Sequence, residues 1–129
     1  MTPKDAAVWK EIKATKLTDI AARAQDHNHW DADTTKRAVE WYRRYLFLCY
    51  RHKGPVLGIV PEADEIWHAH ILFTDRYRDD CKRIFKRFLD HLPTTPRVTK
   101  TQQLLMDTTE DWYVEEFGES PPPLKKPCY

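Results

Sequence analysis

Glycine is scarce in this chain: three residues in 129, against nine prolines. Tight hairpin turns lean on glycine, so a fold of many short strands is disfavoured and helices are favoured. Charge of one sign is lacking too. Twenty-one Lys and Arg offset twenty Asp and Glu to a net +1. No global field therefore draws in nucleic acid or an anionic membrane. No apolar run approaches the ~20 residues of a membrane span, and the first residues carry no apolar signal-peptide core. The expectation is a cytosolic protein with neither a nucleic-acid nor a membrane partner. The three cysteines are odd in number and scattered, which is no disulfide framework. They are expected as reduced thiols, buried or bound to metal.

What is present suits one globular domain. Hydrophobic residues make up 41% and charged residues 32%, and the length suffices to bury a core without disulfide staples. Thr2–Pro3 is a cap followed by proline at the first helical position. Thr18–Asp19 restarts a second helix, and residues 27–31 read as a turn. Asp31 or Asp33 caps a third, in which Ala38, Trp41, Tyr42, Tyr45, Leu48 and Cys49 recur at steps of three and four. That helix runs to about His52, a cation suited to a helix C-terminus, and Gly54–Pro55 stops it. Residues 56–60 are an apolar connector. Pro61 opens a fourth helix with Glu62 and Asp64 in its first turn. Thr74 looks like a new cap, so a break is expected at Phe73–Thr74, with a fifth helix from 75 to 89 folding back on the fourth. Pro93 and Pro96 mark a loop. A sixth helix spans about 99–117, with Gly118 at its C-terminal cap. The fold class is all-α: a compact bundle of about six helices over residues 1–119, then an extended Pro-rich tail over 120–129 that wraps the surface or hangs loose.

Three histidines and a cysteine fall between residues 68 and 91, and His and Cys are the usual ligands of zinc, iron and copper. On one straight helix His68 and His70 point about 200° apart, and His70 and Cys81 stand ~16 Å apart. No shared site forms unless the chain breaks near Thr74. With that break, His68, His70, Cys81 and His91 are candidate metal ligands, the metal being zinc, iron or copper. Asp64 lies four residues before His68 on the same face. It can fix an imidazole tautomer or act as a hard ligand. Tyr77 can supply a phenol, and Asp64 and Tyr77 are the candidate acid–base pair. The plainer alternative is a buried polar network, with Cys81 an inert thiol and the domain a module that binds a protein or peptide through its aromatic surface and tail. His27, His29 and Trp30 form a second cluster, read as a loop around a packed Trp. Cys49 reads as core, and Cys128 as an exposed tail residue. No Gly-rich phosphate loop, nucleophile elbow, His-Glu-x-x-His or paired-Cys zinc motif occurs.

The run VPEADEIWHAHILFTDRYRDDCKRIFKRFLDHLP resembles the core signature of the glycine-rich domain-containing protein-like family. That signature has an Asp, a Trp-His-x-His, a Tyr, an Asp-Cys pair and a His shortly before a Pro. Here these fall on Asp64, Trp67, His68, His70, Tyr77, Asp80, Cys81, His91 and Pro93. The upstream WYRRYLFLCYRHKGPVLGIVP is similar to the family's preceding helix and connector. The resemblance implies that the motif residues act as one unit, and it carries no activity with it. One position departs: the family usually has Gly where this chain has Lys86, which implies a more regular fifth helix here.

Overall fold

The computed structural model describes residues 1–91 and 97–127. The Pro93–Pro96 loop and Cys128 lie outside the described residues. Six helices follow one another: α1 (Pro3–Ala14), α2 (Thr18–Asn28), α3 (Ala32–Arg51), α4 (Pro61–Leu72), α5 (Thr74–Phe85) and α6 (Lys100–Phe117). The fold is all-α, and among the described residues no helix is long and apolar enough to cross a membrane.

The helix starts follow local chemistry. Thr2 Oγ1 accepts the Asp5 N–H at 3.1 Å, and the Asp5 carboxylate accepts the Thr2 N–H at 3.3 Å, a reciprocal capping box. Asp31 caps α3 by accepting the Thr34 N–H at 2.7 Å. Thr99 and Gln102 build a second capping box on α6. The turn expected over residues 27–31 begins later than the sequence suggests. Helix α2 runs on to Asn28 and ends where His29 turns left-handed (φ 55°).

Helix α3 is the organiser. Ala38, Trp41, Tyr42, Tyr45, Leu46, Phe47, Leu48 and Cys49 are all buried along it, and α1, α2, α4 and α6 pack around it. Its apolar stripe is wide because it must face several neighbours rather than one. The connector after it is also core, with Val56, Ile59 and Val60 buried.

The expected break is present. Phe73 leaves the helix (φ −85°, ψ 68°) and α5 begins at Thr74. Thr74 is the first helical residue rather than the cap, and no side chain caps this N-terminus. Two hydrogen bonds show the fold-back: Trp67 Nε1 to Tyr77 Oη, and His70 Nε2 to Asp80 Oδ2, each 2.8 Å and each spanning ten residues. On a straight helix those residues would stand ~15 Å apart.

Helix α5 is shorter than the expected 75–89. It ends at Phe85, because Lys86 takes the left-handed conformation at φ 62° and its N–H closes onto the Lys82 carbonyl at 3.0 Å. The more regular helix implied by Lys86 is therefore not what forms. The turn geometry persists without glycine, at a backbone cost of about 1 kcal/mol. The chain then doubles back, and buried Leu89 and the shielded side chain of His91 return toward α4.

The tail wraps the surface. Ile59 and Lys125 exchange both backbone hydrogen bonds, at 2.8 and 2.9 Å, in an isolated antiparallel bridge. Gly58 makes the approach possible. Its φ is 111°, and a Cβ there would lie 3.2 Å from both Leu124 Cδ1 and Thr109 Cβ.

Candidate metal centre

Helix α4 presents two polar faces. Asp64 and His68 are one turn apart and share a face, while His70 lies about 200° around from His68. Each face meets a different set of partners, so the signature residues divide into two networks.

On the first face, the Asp64 side chain is 0% exposed and sits among three nitrogens. His91 Nε2 donates to Asp64 Oδ1 at 2.9 Å. Lys125 Nζ donates to Asp64 Oδ2 at 2.6 Å. His68 Nε2 stands 3.4 Å from the same Oδ2. The His68 and His91 rings are 4.7 Å apart. Burial alone would push the Asp64 carboxyl up; the hydrogen bonds from His91 and Lys125, with the charges of His68 and Lys125, outweigh it and hold the carboxyl below its ordinary value. His68 is pushed down, first by burial and then by His91 and Lys125, against the pull of Asp64 and Glu65. It is therefore neutral at neutral pH, the form that ligates metals. One ligand atom from each of Asp64, His68 and His91 lies within 4.8 Å of the others, so the three could hold a metal ion.

His91 arrives by way of a latch. The Tyr77 hydroxyl accepts from Trp67 Nε1 and donates to the Leu89 carbonyl, which pins residues 86–91 against α4. The Trp67 ring lies 4.0 Å from the His91 ring and backs it. Burial raises the Tyr77 phenol well above its ordinary value. Burial likewise raises the Cys81 thiol, although a hydrogen bond from the Leu89 backbone pulls the other way.

On the second face, the Tyr42 hydroxyl lies 2.7 Å from His70 Nδ1, and His70 Nε2 lies 2.8 Å from Asp80 Oδ2. An ionised Asp80 accepts, so Nε2 carries the proton and Tyr42 donates to Nδ1. Arg83 Nη2 donates to Asp80 Oδ1 at 2.6 Å, and Arg83 reaches on to Glu11 at 2.7 Å. This chain ties α3, α4, α5 and α1 together. Burial would raise Asp80, but the hydrogen bonds of His70 and Arg83 hold it below the ordinary value.

A family model described as UCP032817-like matches residues 10–110. The chain belongs to this family. The matched span includes Asp64, His68 and His91 and stops short of Lys125. No curated protein and no solved structure matches the chain.

Of the residues singled out in the sequence, the structure brings Asp64, His68 and His91 into one group. It places His70 in the Tyr42–Asp80 chain, with both ring nitrogens engaged. Cys81 is a buried free thiol beside Tyr77 and Leu89. Tyr77 works as the latch, outside the group. Sequence reasoning missed Lys125. Nothing local marks it: it is one of two adjacent lysines in a Pro-rich tail.

Proposed function

We propose that this protein binds a divalent transition metal through Asp64, His68 and His91. The observation that carries the reading is the convergence of three ligand atoms within 4.8 Å around a fully buried carboxylate. Ligands ~2.1 Å from a tetrahedral ion stand about 3.4 Å apart; here His91 Nε2 lies 2.9 Å from Asp64 Oδ1 and His68 Nε2 lies 3.4 Å from Oδ2, so the two imidazoles approach different oxygens of one carboxylate. Two histidines and one carboxylate leave coordination positions open, the pattern of catalytic zinc and of non-haem iron rather than of a closed structural site. His68 also lines a pocket of about 90 Å³ between α2 and α4, with Arg23, His27, Glu65 and Leu72, while its Nε2 is buried on the Asp64 side. In this reading an open coordination position takes a water or a small substrate, and the chemistry is hydrolytic or oxidative. Tyr77 and Trp67 position His91 rather than transfer protons. The resemblance to the glycine-rich domain-containing protein-like family fits this reading, because its signature residues are the ones that build the centre, its latch and the His70 chain.

Metal analysis of untagged protein, as purified and after reconstitution with zinc, iron(II) and copper, tests the proposal. About one equivalent is expected, dropping on His91→Ala; under ~0.1 equivalent of every metal in the parent would sink it.

One observation favours a second reading: the Lys125 ammonium already neutralises Asp64. Asp64, His68, His91 and Lys125 would then be a buried network, in a module that binds a protein or peptide partner. On that reading His91→Ala and Cys81→Ala both lose stability in metal-free buffer. Parent-like stability in both would refute it.

A further inference from the structure

Resting on the metal reading, we propose that the C-terminal strap is a displaceable cation plug: Lys125 and the metal compete for Asp64, and metal entry undocks residues 121–127.

A carboxylate with no solvent exposure needs a cation or strong donors. Asp64 is in that position, and among the described residues its shortest contact is the Lys125 ammonium, 2.6 Å from Oδ2. That oxygen is also the one nearest His68 Nε2. A metal drawing on Asp64 and His68 would lie next to the ammonium, where two positive charges share one oxygen in a poorly solvated place and repel. One of them has to leave. His91 Nε2 would release to solvent the proton it now donates to Oδ1 and take the metal in its place. The incoming dication replaces the ammonium as the counter-charge of Asp64, so the carboxylate is never left uncompensated.

The strap is a terminal segment. Two backbone hydrogen bonds to Ile59 hold it, with Lys126 Nζ donating to the Arg97 carbonyl at 2.6 Å and to Gln102 Oε1 at 3.2 Å. Leu124 adds a contact over Gly58. Pro122 and Pro123 are exposed and bury little. Lys126 and Pro127 are buried, and a terminal segment fastened by contacts of this kind opens below the free energy of global unfolding. The bland alternative is a permanent ion pair that only fastens the terminus. It differs in one respect: a permanent fastener does not respond to metal.

The experiment has two arms on the full chain. Zinc binding is measured by competition with a chromophoric chelator for the parent, Lys125→Met and Lys125→Arg. Hydrogen exchange at the Ile59 and Lys125 amides of the parent is followed with and without zinc. Lys125→Met is expected to bind zinc about tenfold or more tightly than the parent, with Lys125→Arg near the parent. Saturating zinc is expected to speed exchange at both amides. Equal zinc affinity in the parent and Lys125→Met overturns the competition and leaves the metal reading standing. So does unchanged exchange in the zinc-saturated parent. The exchange arm uses no variant, so a poorly folding Lys125→Met does not rescue the idea. No zinc binding to any of the three proteins overturns the metal reading and this inference together.

Discussion

Helix α4 carries two histidines two residues apart, and they occupy opposite kinds of site. His70 is 2% exposed and locked between Tyr42 and Asp80, with Arg83 completing a chain across four helices. His68 is 20% exposed, faces a pocket, and approaches Asp64 only at 3.4 Å. The residue type is the same and so is the helix. What differs is the supply of partners. Toward His70 come α3 and α5, rigid elements whose hydroxyl and carboxylate arrive at hydrogen-bonding distance. Toward His68 come a doubled-back loop with His91 and the terminal strap with Lys125. A fully satisfied polar chain specifies and stiffens a fold. A cluster closed by a doubled-back loop and a terminal strap is the one for which we propose an exchange of cations.

The largest test of this contrast is a pair of alanine substitutions. His70→Ala leaves the buried Tyr42 hydroxyl without its acceptor and takes from Asp80 one of its two donors, Arg83 remaining, and should cost about 3 kcal/mol of unfolding free energy. Its zinc affinity should stay within about threefold of the parent. His68→Ala should cost under ~1 kcal/mol yet weaken zinc binding by more than about tenfold. Urea melts and metal titrations on the same preparations read both. Equal stability losses in the two variants would break the comparison.

Acid unfolding sharpens it further. Asp80 is held below its ordinary value by its partners, against burial. Its contribution is thus present above the unfolded-state value, near pH 4, and is lost as pH falls through the lower folded-state value. Asp80→Asn removes that dependence, so stability should fall less steeply below about pH 4 than in the parent. Superimposable acid limbs would show that the His70 chain does not carry this linkage. Asp64 shifts in the same direction, so part of the limb should survive the substitution.

The smallest effect concerns the turn that sends the chain back to His91. Lys86→Gly removes a side chain from a left-handed position and should stabilise the fold by about 0.5–1 kcal/mol with zinc affinity unchanged. A loss of stability there would mean that the Lys86 side chain contributes more than its backbone geometry costs.

Much of the fold was legible from local signals. The cap at Thr2, the cap at Asp31 or Asp33, the α3 stripe and the break after Phe73 all follow from short-range chemistry, and all are present, with Asp31 as the cap and Asp5 closing a capping box on Thr2 that was not foreseen. The errors are local as well. Thr74 looked like a cap and is the first helical residue. Helix α5 looked four residues longer, because Lys86 has no sequence signature for a left-handed turn. Helix α2 extends through His27 and Asn28, which looked like a turn because polar and aromatic residues crowd there.

For the site, the sequence by itself determined that His68 and His70 cannot share one ligand sphere on a straight helix, and that Asp64 shares a face with His68. Both follow from the 100° step of the helix. Tertiary structure alone decided which histidine His91 joins, that Asp80 claims His70, that Cys81 stays with the Leu89 backbone, and that Lys125 reaches Asp64 across 61 residues. Those pairings depend on where a loop doubles back and where a tail docks, and no periodicity encodes either. Local geometry limits which residues can face the same way; only packing brings distant ones to 3 Å.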